Sequence, residues 1–390
     1  MDAPNFEITM KNNTYCNFEN FDHQYRQYVH GYLSLSVCVF GSLTNIFNIF
    51  ILITKTMRSP TNFILTGLAL ADLLVMLQYI PFTVHRNLHP IPLRYTHYSY
   101  AWALFYKFYS FSTLVLHFIA CMLTIILAVW RYVFIRQVSA NKFCSSHSKA
   151  LMVICLTYLL CPLICFPILF TLEIVPYEQL CDFHGNIVTK NQRSTYNEVE
   201  LKNETLYFLY PNDPYNLGIW LYTVLLKFAP CLLLTVLSCK IISALIETRR
   251  RRMKLLHSNK LLKEEKIKSR SNAIQTFRDN QADRTTRMLL AVLILFLITE
   301  FPQGIMGLVS ALLGKTFLEE CYAPLGDVMD MIALVNSSIN FILYCTMSRQ
   351  FRTTFQEVFH LKKVVEWMQN PSSKNTFIDE TRVETKTSLV

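Results

Sequence analysis

Seven stretches of 20 or more mostly apolar residues, centred near residues 41, 73, 118, 160, 232, 296 and 336, constrain this chain more than any other feature. A helix rises about 1.5 Å per residue and a bilayer's hydrocarbon core is about 30 Å thick, so each stretch is long enough to cross it. Inside lipid the backbone must satisfy its own polar groups, which leaves helices or a closed barrel. Only nine glycines and a helical pattern throughout argue against the barrel. Charged residues make up 16% of the chain, fewer than a soluble domain of this length carries. The expected fold is an all-α membrane protein, a seven-helix bundle.

The spans run about 29–53, 62–84, 101–135, 149–172, 217–247, 284–313 and 325–347, with Pro81, Pro162, Pro167, Pro230 and Pro302 inside them. They divide the chain into a tail (1–28), a seven-span domain (29–347) and a last segment (348–390). In that segment Phe351, Phe355, Val358 and Phe359 recur at helical spacing, flanked by Arg349, Arg352, Lys362 and Lys363. This predicts a short amphipathic helix on the lipid surface, then a polar disordered tail from 368. No internal repeat is visible, which disfavours an inverted-repeat transporter.

Charge sets the orientation. The segment 248–287 holds thirteen Lys/Arg against four Asp/Glu, whereas 173–215 holds seven acidic residues against three basic. Basic loops stay cytoplasmic, so the N-terminus is expected outside and the chain in the plasma membrane as a multi-pass protein. A basic tract between two spans is explained by topology, and no nucleic-acid partner is expected. Residues 1–27 lack the 7–15-residue apolar core of a cleavable signal, so the first span is expected to direct its own insertion. Sequons at Asn12 and Asn203 fall on the extracellular side and are glycosylation candidates. Of twelve cysteines, only Cys16, Cys181 and Cys321 lie in segments read as extracellular, where disulfides persist. Three is odd, so at least one is free or paired elsewhere.

A polar group at membrane depth is costly and needs a partner. Asp72 sits in an otherwise apolar helix, with Asn45, Asn336 and Asn340 at similar depth in spans 1 and 7. Two readings stand: an interhelical hydrogen-bond clamp, or a small-cation site for Na+ at Asp72. Glu300 in span 6 calls for a cation, either from a ligand or from an internal residue such as His117, and Gln303 lies one turn further out. Asp72 and Glu300 read as isolated, without the continuous polar path a transporter or channel needs. At the other end of the bundle, Arg131 is flanked by Trp130 and Tyr132, and Tyr344 closes span 7. Together with the basic loop they describe a vestibule for a cytoplasmic partner. Trp102, Phe105, Tyr106, Tyr109, Trp220 and Tyr222 offer aromatic surface at the outer ends of spans 3 and 5.

These landmarks resemble the class A (rhodopsin-like) G-protein-coupled receptors over roughly 28–360. Asp72 in Leu68-Ala69-Leu70-Ala71-Asp72 matches the LAxAD aspartate, and Asn45 the span-1 asparagine. Arg131 matches the DRY arginine, Pro230 and Pro302 the span-5 and span-6 prolines, and Asn340 and Tyr344 the ends of NPxxY. The departures are Trp130 before the arginine, Phe341 for the NPxxY proline, Thr299-Glu300-Phe301-Pro302 for CWxP, no span-4 tryptophan, and Tyr106 where the class has a disulfide cysteine. This set is similar to the invertebrate myosuppressin (FMRFamide-like) and sex-peptide/myoinhibitory-peptide receptors. The resemblance implies a short amidated neuropeptide ligand, a heterotrimeric G protein of the inhibitory Gi/o class, arrestin as a further partner, and no enzymatic activity. Thr113 stands where amine receptors keep an aspartate, and no span-7 lysine is present for a retinal Schiff base. The ligand-site candidates are then Glu300, Gln303, His117, Thr113, Tyr106 and Trp220, and the coupling candidates Arg131, Tyr132 and Tyr344. With Tyr106 in the cysteine's place, Cys181 lacks its usual partner, and any pairing among Cys16, Cys181 and Cys321 remains open. Ser388-Leu389-Val390 fits a PDZ-binding end. A ligandless or chemosensory receptor is the rival reading, and a transporter or channel the more distant one.

Overall fold

The computed structural model describes residues 15–16, 25, 29–88, 95–136, 146–182, 185–188, 201–212, 218, 220–261 and 269–359, the stretches 255–261 and 269–289 by their backbone alone. The sequon at Asn12, the middle of the basic loop, the polar tail and Ser388-Leu389-Val390 lie outside these residues.

Among the described residues, seven helices are long and apolar enough to cross a membrane. They are α1 (Gly31–Ile53), α2 (Pro60–Thr83), α3 (Tyr100–Arg136), α4 (His147–Cys165), α5 (Ala229–Leu261), α6 (Ser269–Leu313) and α7 (Ala323–Met347), followed by α8 (Arg349–Val358). Local chemistry marks their ends. Ser59 accepts a hydrogen bond from the Asn62 amide at 3.1 Å, with Pro60 preset for the first turn of α2. Ser348 does the same for the Phe351 amide at 3.2 Å and starts α8. A proline removes one amide and crowds the carbonyl a turn back. Beside Pro81 and Pro230 the helix widens into π turns, at Val84–Leu88 and Leu221–Phe228. A third π turn, Leu318–Tyr322, leads into α7, so this span begins before the expected residue 325.

α3 lies at the centre, packed on α2, α4 and α5, and α1 and α6 flank α7. The core reflects that position: Ile119, Leu123 and Leu127 of α3 pack with Leu65 and Met76 of α2, and a second cluster joins Ile125 and Ala128 to Leu234, Ile241 and Leu293. The outer faces are the reverse of a soluble protein, with Phe50, Leu159 and Ile298 each more than 60% exposed. Lipid is the partner for such a surface. Lipid tails are as apolar as leucine, so close packing rather than hydrophobic burial holds the helices together. Gly41 shows this: a Cβ there would meet Met76 Sδ at 2.2 Å and Ser338 Cβ at 2.9 Å, so α1 approaches α2 and α7 only through a glycine.

α8 lies against the bundle as its apolar spacing predicts. Phe351 is buried against Tyr344 and Phe341, with ring centroids 5.5 and 5.8 Å away, and Phe355 packs on Phe47.

One element escaped the sequence analysis. The segment read as a plain outer loop contains a hairpin, β1 (Leu172–Cys181) and β2 (Lys202–Pro211), paired antiparallel from Leu172↔Pro211 to Cys181↔Lys202. β-branched and aromatic residues, Ile174, Val175 and Tyr177 facing Thr205 through Tyr210, carry it. Phe208 and Tyr207 pack on Tyr98 and Tyr100 at 4.9 and 5.3 Å, which anchors the hairpin at the start of α3.

The open disulfide question also resolves here. Cys16 is bonded to Cys321, with Cα atoms 5.4 Å apart, tying the N-terminal tail to the start of α7. The Tyr15 amide donates to Glu320 Oε2 at 3.0 Å beside the bond. Cys181 is a free thiol, buried in the hairpin. Burial first, then Glu204 and Asp182, raise its pKa, so little thiolate forms to exchange.

Candidate functional site

From the hairpin end a cavity of ≈ 370 Å³ reaches mid-depth between α3, α5, α6 and α7. Thr171, Gly218 and Tyr322 line its mouth, and Cys121, Cys231 and Glu300 its floor. This size falls within the range of small-ligand pockets. Of the predicted ligand residues, Thr113, His117, Glu300 and Gln303 line it.

Tyr106 and Trp220 do not line this cavity. Tyr106 sits about two turns above Thr113 and faces α2, sharing a 2.5 Å hydrogen bond with His85 Nδ1 and an edge contact with Phe82 at 5.6 Å. Trp220 is 43% exposed. Belonging to a helix end that lines a site does not place a side chain in it, because only about a third of each turn faces inward.

Glu300 does have a cation at its carboxylate, and it is neither His117 nor a ligand group. Lys227 Nζ donates to Glu300 Oε2 at 2.6 Å and to Gln303 Oε1 at 2.9 Å, all three side chains being buried. Glu300 and Gln303 are three residues apart and share one face of α6. Lys227 comes from the π turn that leads into α5. Glu300 is thus not isolated, as the sequence reading had it. The signal was legible: the rule that a membrane-depth charge needs a partner applies to a lysine in an apolar span as much as to a carboxylate. The same rule picks out Asp330 of α7, another cavity-lining residue.

Below the cavity lies the polar layer. Asn340 Nδ2 donates to Asp72 Oδ2 at 3.1 Å, joining α7 to α2. Asn45 donates to the carbonyls of Gly41 and Ser337 at 2.9 and 3.0 Å, so α1 reaches α7 directly and not through Asp72. Asn336, Ser337, Thr124 and Asp72 surround a small void beneath Glu300.

At the opposite end, Arg131 is 9% exposed, stands 5.8 Å from the Phe134 ring, and makes no ion pair among the described residues. Its Nε has no hydrogen-bond partner among the described residues. Tyr344 is buried against α8, while Tyr132 is half-buried beside Arg136, whose guanidinium lies 6.0 Å from its ring. Asn203 is exposed on β2, open to a glycosylating enzyme.

One helix bundle thus holds a ligand-sized cavity, a polar midlayer and a buried arginine at the far end. Residues 32–362 match the family model of the serpentine-type seven-transmembrane G-protein-coupled chemoreceptors, Srw. The chain belongs to this family. It is a multi-pass G-protein-coupled receptor, not an enzyme. Among similar proteins is the G-protein coupled receptor dmsr-1 of Caenorhabditis elegans, 29% identical, with 86% of this chain and 69% of the relative aligned. The sex peptide receptor of Drosophila melanogaster is 25% identical over 94% of this chain and 80% of its own. The crystal structure of squid rhodopsin shares the receptor's fold, with a TM-score of 0.62 and 17% identity, over 87% of this chain and 86% of that one.

Proposed function

We propose that this receptor sits in the plasma membrane with its N-terminus outside, binds a short amidated neuropeptide in the cavity above Glu300, and activates a heterotrimeric G protein of the Gi/o class. The observation that carries the reading is the cavity itself, which is open at the hairpin end, deep enough for a few residues, and lined by both rings and charges. Exposed Glu173 and Glu178 on β1 give its surroundings a negative field that speeds the encounter with a cationic peptide. A relative named as a sex peptide receptor, and the Leu127–Tyr132 and Thr299–Gly304 motifs, support the peptide class. In this reading the peptide favours a state in which α6 swings about Pro302 and opens the end holding Arg131 and Tyr344 to the G protein, with arrestin as a competitor there. A ligand shifts that balance only by binding the open state more tightly.

The test is a panel of amidated neuropeptides, applied to cells expressing the full chain with a panel of G proteins. At least one Arg-Phe-amide peptide is expected to drive nucleotide exchange on Gi/o. Silence to every peptide, with a response to small solutes, would replace this reading by a chemosensory one, the alternative that the family model's description favours.

The Asp72 layer fits a sodium ion through its oxygen-rich donor set: the Asp72 carboxylate, with Asn336, Ser337 and Thr124 around one small void. Asp72→Asn keeps the hydrogen bond with Asn340 and removes the charge. Agonist affinity in that variant is expected to lose its dependence on sodium concentration. An unchanged dependence would reduce Asp72 to a clamp between α2 and α7.

A further inference from the structure

Three acid or base side chains with a permanent claim on a counter-charge line the cavity: Lys227, Glu300 and Asp330. The first two meet each other at 2.6 Å, and Gln303 takes a second Lys227 proton. That leaves the third. Asp330 has neither a hydrogen bond nor an ion pair among the described residues, and it is partly exposed, toward the cavity. Its charged neighbours offset it only from a distance: Lys227 and Arg86 act on it through space, and neither forms an ion pair with it among the described residues. Asp327, one turn earlier on the same helix and buried, adds the same sign. Arg86, in the π turn that follows α2, holds its guanidinium over the Phe82 ring, 5.4 Å from the centroid. Tyr79 and Tyr109 line the same cavity, and the Tyr79 hydroxyl is engaged by His30 Nε2 at 3.0 Å.

We infer that Asp330 is the counter-ion for a cationic group of the ligand, a guanidinium or ammonium held beside an aromatic wall. A carboxylate in a narrow, half-dry cavity is costly until a cation with hydrogen-bond donors reaches it. The tyrosine faces favour the same charge. A bare metal ion fits less well: no group of three His, Cys, Asp or Glu side chains that could hold one occurs among the described residues. The cavity is also far larger than an ion needs. Glu300 is then the floor of the site, its charge already balanced by Lys227, and Asp330 is the residue that distinguishes a charged ligand from its neutral isostere. The inference rests on the peptide-receptor reading for the ligand's size and on the geometry for its charge.

The test uses purified full-length receptor, wild type and Asp330→Asn, with two probes: Phe-Met-Arg-Phe-amide and the same peptide with citrulline for arginine. Citrulline keeps the shape of arginine but loses its charge, with an accepting carbonyl oxygen in place of one donating NH2 group. Binding is read as the probe concentration needed for thermal stabilisation, up to millimolar. The wild type is expected to bind the arginine peptide about ten- to a hundredfold more tightly than the citrulline peptide, the worth of one charged hydrogen bond. In Asp330→Asn the two should converge, and Asp330→Glu should restore part of the gap. Similar circular dichroism and unliganded melting would show that the variant folds. Equal preference in wild type and variant, or no stabilisation of the wild type by either probe, would overturn the assignment. If the neuropeptide panel is active but this preference is absent, only the role of Asp330 falls. If the panel is silent, the peptide reading falls while the charge preference is still measured by the probes.

Discussion

Lys227→Met should cost the folded receptor about 3–5 kcal/mol, seen as a large drop in the melting temperature of detergent-solubilised protein and in surface yield. Lys227 and Glu300 are both buried and lie 2.6 Å apart. Taking two charges out of water is expensive, and their attraction only roughly offsets that expense. Removing one partner keeps the desolvation penalty of the other and loses the attraction. Glu300→Leu should therefore be comparably harmful, since it strands the lysine with Gln303 alone. The double variant removes both charges and should recover most of what either single change loses, because a well-packed apolar pair of similar volume is close to neutral. A double variant as damaged as the sum of the singles would mean that the two residues do not act as a pair. This cycle also tests whether Glu300 is held from within the receptor, since no ligand is needed for the effect.

Arg131→Ala should do the opposite, leaving folding intact and removing most of the signal. Arg131 is buried, yet among the described residues it has no acidic partner, and its Nε is unsatisfied. Deleting it strands no carboxylate, so the stability penalty that applies to Lys227 has no counterpart here. Its contribution is expected only once the end of α3 opens and the guanidinium meets the G protein. The variant should reach the surface and bind agonist with near wild-type affinity, while ligand-stimulated nucleotide exchange falls tenfold or more, as for an interface arginine at the centre of a contact. Normal exchange in this variant would remove Arg131 from the coupling surface.

These two residues show how far each level of information reaches. Arg131 was legible as a coupling candidate because its position follows from order along the chain, at the inner end of an apolar stretch. Lys227 was equally visible as a charge in an apolar span, but nothing in the order of residues says that it meets Glu300, which lies 73 positions away. A charge at membrane depth announces that a partner exists, and only the packing of α5 against α6 identifies it.

The number of spans, the Asp72–Asn340 layer and the amphipathic α8 follow from length, charge and periodicity, because lipid forces the backbone into helices and makes every polar exception conspicuous. The hairpin β1–β2, the choice of Cys16–Cys321 over the alternatives with Cys181, and the placing of Asp330 in the cavity without an ion pair among the described residues do not. Each depends on which groups far apart in the chain come within a few ångströms. Outside the bilayer no solvent constraint selects one pairing, and inside it side-chain direction around a helix decides which of several equally placed residues faces the cavity.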